Sequence, residues 1–181
     1  MDRGITRTAV ALAAVAATVA ALVAPGVASP SRARAHVALS SLESGVLQQL
    51  NAIRAQHGLQ PVHINARLTA ASDQHSREMA AKGYFEHSSV DGTAFWKRIQ
   101  RYYGPAGHSY WSVGENLLWS APDVDPRRAL QLWMASPEHR KNILTPEWRE
   151  IGVAAVHVVS APGTYDGLEV TVITTDFGVR R

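Results

Sequence analysis

The segment SPEHRKNILTPEWREIGVAA, residues 136–155, contains the point at which the hydrophobic period of the chain changes. Ser136-Pro137 marks a helix start, because a small hydroxyl residue followed by proline suits the first turn. A short helix is expected over Glu138 to Ile143. Beyond Trp148 the period becomes two, with Ile151, Val153, Ala155 and His157 alternating with their neighbours as in a half-buried strand. Leu168, Val170, Val172 and Thr174 alternate in the same way. Pro162-Gly163 and Asp166-Gly167 lie between the two runs, so they pair as an antiparallel hairpin with a long loop. Upstream, Asp125-Pro126 opens a helix through Ala129, Leu130 and Trp133, and Tyr110 to Trp119 holds a third strand around Gly114-Glu115-Asn116. Thr93 is the expected cap of a short helix carrying Phe95, Trp96 and Ile99. Asn65 caps another helix through Leu68, Ala71, His75 and Met79, closed by Gly83. An amphipathic helix over 42–57, with Val46, Leu50 and Ile53 on one face, ends before Gly58. Helices first and an antiparallel sheet last predict one α+β domain over 42–181, its helices covering the sheet faces.

The residues before that domain have a different character. Arg3 and Arg7 precede a small-apolar stretch from Ala9 to Ala24, Pro25-Gly26 follows, and Val27-Ala28-Ser29 offers small residues to a peptidase. This is the pattern of a secretory signal peptide over residues 1–29, followed by a short polar segment over 30–41. Cleavage is expected after Ala28 or Ser29, with Ala33-Arg34-Ala35 a second fit to the A-x-A rule. The apolar stretch falls short of the roughly 20 residues that a bilayer-spanning helix needs. Membrane contact is therefore expected only through an uncleaved leader, and the domain is expected to be secreted.

Charge narrows the range of partners. Of the 18 Lys and Arg and 15 Asp and Glu, the first 35 residues hold Arg3, Arg7, Arg32 and Arg34 against Asp2. The whole net charge of +3 thus belongs to the leader region, and the rest of the chain is neutral. Binding to a phosphate backbone needs a concentrated positive surface, so nucleic acid is rejected as a partner. The chain has no cysteine. That excludes disulfides, a Cys-ligated metal site and a thiol nucleophile. No G-x-S-x-G, H-E-x-x-H, P-loop or G-x-G-x-x-G motif is present.

Histidines and carboxylates at element ends remain as the carriers of chemistry. His87-Ser88 follows the helix stop at Gly83, Glu115 sits among apolar strand residues, and His139 lies near the third position of its helix. The helix dipole there disfavours imidazolium and favours a neutral ring. Glu115 must be paired or have a raised pKa, since an isolated buried carboxylate is costly. Adjacent helical residues point about 100° apart, so Glu138 is expected to face away from the site that His139 faces. His75 is expected to be a satisfied core histidine. The tryptophans are expected in the core or the cleft wall, and Glu150 is expected to be a solvated charge. For His87, Glu115 and His139 three readings stay open: a buried polar network, a ligand or metal cleft, and a catalytic centre.

The ordered set His87-Ser88, Gly114-Glu115-Asn116-Leu117, Trp133-x-x-Ser136-x-x-His139-Arg140-x-Asn142-Ile143-Leu144 and Ile151-Gly152-Val153 resembles the CAP superfamily. That family comprises cysteine-rich secretory proteins, antigen 5 and pathogenesis-related proteins. Leu50-Asn51-x-x-Arg54, Gly58-Leu59 and Phe177-Gly178 extend the resemblance over most of 42–178, closest to the short, cysteine-free bacterial branch. The resemblance implies an α-β-α sandwich with a three-stranded antiparallel sheet between helical layers. It also implies a cleft with two histidines and two acids that binds zinc or another divalent ion in some members. By position the histidines are His87 and His139, which are the candidate metal ligands, and the first acid is Glu115. Ser136 stands where the second acid is expected, so the tetrad is incomplete, and Ser136 is expected in the cleft beside His87, Glu115 and His139. The absence of a nucleophile motif favours an extracellular module binding a lipid, glycan, peptide or protein. The alternative is a metal-assisted or general-base hydrolase using His87, His139 and Glu115.

Overall fold

The computed structural model describes residues 39–181. The expected leader and most of the polar segment after it lie outside the described residues. Helix α1 (Ser41–Gln56) starts at a capping box, in which the Ser40 hydroxyl accepts from the Glu43 amide and the Glu43 carboxylate accepts from the Ser40 amide. Strand β1 (His63–Ile64) leads into α2 (Ala66–Lys82), whose first amides are taken by the Asn65 side chain. Gly83 closes α2 at φ 72, the left-handed conformation that glycine adopts most easily. Helix α3 (Phe95–Tyr102), strand β2 (Trp111–Ser120), helices α4 (Pro126–Ala135) and α5 (Pro137–Leu144), and strands β3 (Glu150–Val158) and β4 (Val170–Arg180) complete the order.

The sheet corrects the expectation of three antiparallel strands. It has four, in the order β1-β3-β4-β2, and β1 runs parallel to β3 through His63–Glu150 and Ile64–Ile151. A two-residue strand has no period to detect, so hydrophobic alternation could not reveal it. The other pairs, β2–β4 and β3–β4, are antiparallel as expected. A smaller correction concerns α3: its N-cap is Ala94, without a side-chain cap, in place of Thr93.

Strand alternation sends one set of side chains to each helical layer. Ile151, Val153, Ile173 and Phe177 pack with Val46 and Leu50 of α1, Leu130 and Trp133 of α4 and Ile143 of α5. On the other face, Leu117 and Val172 meet Met79 and Ala80 of α2, while Leu68 and Ala71 pack with Ile99 and Tyr103. Nearly every residue of β4 is buried. A central strand covered on both faces has that property.

Without disulfides, buried and half-buried hydrogen bonds join elements that are distant in sequence. Arg54 is fully buried, donating from Nε to the Gln60 carbonyl and from one terminal nitrogen to the carbonyls of Ile143 (2.7 Å) and Thr145 (2.9 Å). It thereby places a cation at the C-terminal end of α5, where free carbonyls and the helix dipole favour one. Asn51 exchanges two hydrogen bonds with the backbone of Val62, fixing the approach to β1. Glu150 is half-buried, its side chain 32% exposed, and accepts from Asn65 Nδ2 at 2.6 Å and from the Tyr103 hydroxyl. The expectation of a solvated Glu150 holds only in part: the carboxylate stays partly exposed but is also bound by two donors distant in sequence. Trp96, expected in the core or cleft wall, is 41% exposed.

Candidate functional site

Strand β2 lies at the sheet edge beside β4, and the site forms along it. Three consecutive residues divide the work. Gly114 is tightly packed: a Cβ there would sit 3.0 Å from the Trp148 ring and 3.1 Å from Asn142 Oδ1, so these side chains would have to give way slightly. Glu115 and Asn116 point to opposite faces. Asn116 Nδ2 donates to the His139 carbonyl at 3.1 Å. Asn142 Nδ2 donates to the Glu115 carbonyl and to Asn116 Oδ1, both at 2.9 Å, and the Asn142 carbonyl accepts from Trp148 Nε1. These bonds fasten α5, and with it His139, against the strand.

The loop after α2 carries His87 and is held from two helices. His75 Nε2 lies 2.9 Å from the Glu86 carbonyl, and Arg98 donates to the His87 carbonyl at 2.9 Å. His75 is fully buried and bonded at Nε2, whereas its buried Nδ1 has no hydrogen-bond partner, so the expected core histidine is only half satisfied. Burial pushes its pKa down, more than the neighbouring carboxylates pull it up.

Glu115, whose side chain is fully buried, answers the requirement for a partner twice over. Oε1 accepts from His87 Nδ1 at 2.8 Å, and Oε2 pairs with the Arg98 guanidinium, itself 1% exposed. The carboxylate fixes the ring so that the Nδ1 proton points inward and Nε2 is the nitrogen left for other partners. The His87 side chain remains 52% exposed.

His87 and Glu115 share an open cleft of about 440 Å³ with Phe95, Val113, Gly114, Glu138, His139, Lys141 and Asn142. Both expected histidines and the expected acid therefore come together. Ser136 does not line the cleft; it precedes α5 as its N-cap, without a side-chain capping bond. Glu138 does line it, contrary to the expectation from helical spacing. The cleft wraps around the first turn of α5, so side chains about 100° apart both reach its wall. The pKa of His139 is lowered, first by burial, then by the proximity of His87, with Glu138 opposing. Burial thus adds to the helix-terminus effect expected from sequence in keeping this ring neutral.

A protein-held zinc normally takes three or four side-chain ligands. Both oxygens of Glu115 are already engaged, one by a buried cation. Among the described residues, no group of three or more His, Asp or Glu is arranged to hold a metal ion. The imidazoles of His87 and His139 are one ligand short, and the residues do not fit a closed metal centre.

Sequence reasoning missed Arg98, the residue that neutralises Glu115. The signal was the buried acid itself, which required a cation without indicating which one. Asp176, opposite Glu115 on β4, was also missed, because the alternation was followed only to Thr174, two residues short of it.

The model of the cysteine-rich secretory protein family, CAP, matches residues 47–174. The uncharacterized protein YkwD of Bacillus subtilis (strain 168) is 33% identical over 118 residues, covering 65% of this chain and 44% of that protein. The chain thus spans less than half the length of that curated relative. Among solved structures, an extracellular protein containing an SCP domain from Bacillus anthracis str. Ames is 29% identical with a TM-score of 0.55, covering 81% of this chain and 45% of the other. An outer surface protein from Borrelia burgdorferi shares the fold, with a TM-score of 0.57 at 16% identity over 75% of this chain and 90% of that one. Among the described residues no helix is long and apolar enough to cross a membrane. With the family model covering most of the domain and the motif residues gathered at one cleft, the chain belongs to the CAP family.

Proposed function

We propose that this chain is an extracytoplasmic binding module whose β2-edge cleft holds a polar or amphiphilic ligand, such as a glycan or peptide segment, without transforming it. The observation that carries this reading is the engagement of Glu115. Both of its oxygens are occupied, by His87 and by Arg98, so it orients an imidazole and is not free to take a proton from a substrate. The cleft wall offers Nε2 of His87, the His139 ring, Lys141, Glu138 and the Asn142 side chain beside the apolar Phe95 and Val113. That mixture suits a ligand with both hydrogen-bonding groups and apolar faces. An acyl chain calls for a more enclosed apolar cavity. Extracytoplasmic placement is supported by the leader pattern of residues 1–29 and by the similar protein described as extracellular.

One observation favours a second reading. A carboxylate behind the Nδ1 of an exposed histidine is the arrangement that orients a general base. In that case His87 Nε2 would activate a water for hydrolysis of a bound ester, amide or glycoside, with His139 as its neighbour. No serine, threonine or tyrosine lines the cleft to serve as a covalent nucleophile.

The two readings separate on His87→Ala and His139→Ala, each checked for folding by circular dichroism. Arrays of glycans and peptides, together with a panel of hydrolase substrates, supply the ligands. The binding reading expects each substitution to weaken a captured glycan or peptide about tenfold or more, the loss of one good hydrogen bond to a desolvated partner. It expects no turnover by the wild type. Turnover that disappears in both variants would replace binding with hydrolysis.

A further inference from the structure

Beneath the cleft, and beyond what the cleft binds, lies a second acid that the proposed function does not use. Asp176 is the cross-strand partner of Glu115 in the β2–β4 ladder, and both side chains face α2 and α3. Directly opposed residues on one sheet face have Cβ atoms about 5 Å apart. Asp176 is fully buried. Its Oδ2 accepts from the Ser72 hydroxyl of α2 at 2.9 Å, whereas Oδ1 is buried with no donor to satisfy it. The Glu115 carboxyl is its direct neighbour across the ladder.

The charges around this pair do not balance if both acids are ionised. From α3 comes one buried cation, Arg98, already paired with Glu115, and from the loop after α2 comes His87, half-exposed and bonded through Nδ1 to the same carboxylate. From α2 come Ser72 and Ser76, which are neutral, and His75, whose pKa is pushed down by burial. The β3 partner of Asp176 is Gly152. Two carboxylates and one guanidinium would leave an uncompensated negative charge in the interior, which costs far more than retaining a proton.

We propose that Asp176 keeps its proton at neutral pH and donates it from Oδ1 to the Glu115 carboxylate, making Asp176 the positioning residue behind Glu115 and His87. One proton then satisfies the orphaned oxygen, removes the excess charge and gives Glu115 a third donor. Burial and the proximity of Glu115 push the Asp176 pKa well above the ordinary carboxylate value, against the smaller opposing effects of Arg98 and Ser72. The resulting line Ser72–Asp176–Glu115–His87 runs from the helix–sheet core to the exposed imidazole.

Infrared spectroscopy of the ligand-free full chain tests the proton without any substitution. At about pH 7 the wild type should show the carbonyl stretch of a protonated carboxyl group, and carbon-13 labelling of aspartate alone should shift it. No such band at that pH, or a band that moves with labelled glutamate instead, overturns the proposal. Asp176→Asn provides a second readout, because an amide donates as the protonated acid does but cannot release a proton. Between the unfolded value near 3.9 and the raised native value, folded wild type holds a proton that the unfolded chain has lost, so its stability falls as pH rises. The folding equilibrium constant of Asp176→Asn relative to wild type should therefore grow about tenfold per pH unit above pH ~4. A ratio independent of pH across that range would also overturn the proposal. Should the variant fail to fold, the labelled wild-type spectrum decides alone. None of these measurements depends on whether the cleft binds or hydrolyses.

Discussion

Arg98→Met is expected to lower the folding free energy by about 3–5 kcal/mol, the range found when one member of a buried ion pair is removed. The guanidinium is 1% exposed and the Glu115 side chain fully buried, so solvent cannot take over the role of either partner. Without Arg98, Glu115 and Asp176 face each other across β2 and β4 with no cation, and the His87 carbonyl loses its donor. The damage should spread to the loop after α2. Urea denaturation of the variant measures the loss, and histidine resonances should report a mobile His87. The double variant Arg98→Met/Glu115→Leu should recover much of the stability, since the buried charge left behind is then gone as well. A single variant losing less than about 1 kcal/mol would mean that the pair is open to water.

Gly152→Ala should be comparably severe, by about 3 kcal/mol or more, for a purely steric reason. A Cβ on Gly152 would overlap the backbone carbonyl of Leu68 and approach the Thr69 amide nitrogen, so no side-chain rotation can relieve the clash. Helix α2 would have to move off β3. Leu68 packs with Ala71, Ile99 and Tyr103, so the movement would open that cluster and loosen the layer behind Glu115. Thermal unfolding and a two-dimensional amide spectrum would register it. A variant within about 1 kcal/mol of wild type would show that α2 and β3 are not in contact at this point.

How much of this was legible in sequence depended on whether a residue's role was local. Asp125-Pro126, Asn65 and Gly83 act within one turn, and the helices begin and end where those residues indicate. The hairpin of β3 and β4 followed from alternation, although β4 extends to Arg180 and Leu168 lies outside it. Strand β1 was not legible, because its two residues belong to the sheet only through β3. In the site, the buried setting of Glu115 required a partner, and the ordered motifs joined it to His87 and His139. Identifying Arg98 needed the packing of α3 on β2, and identifying Asp176 needed the ladder register. Glu138 was misplaced because helical spacing fixes angles around one axis, not the curvature of the wall that the helix meets. Gly152 belonged to a quoted motif, but the reason for its identity appears only when α2 is packed on the strand.

The central claim is that Glu115 fixes His87 with its Nδ1 proton inward and Nε2 presented to the cleft. Long-range nitrogen–proton correlation spectra of nitrogen-15-labelled histidine distinguish the tautomers directly. Above the pH at which the ring is charged, the account predicts a protonated Nδ1 and an unprotonated Nε2 for His87. A proton on Nε2 with a bare Nδ1 would contradict it, because a carboxylate cannot accept from a nitrogen that has nothing to donate.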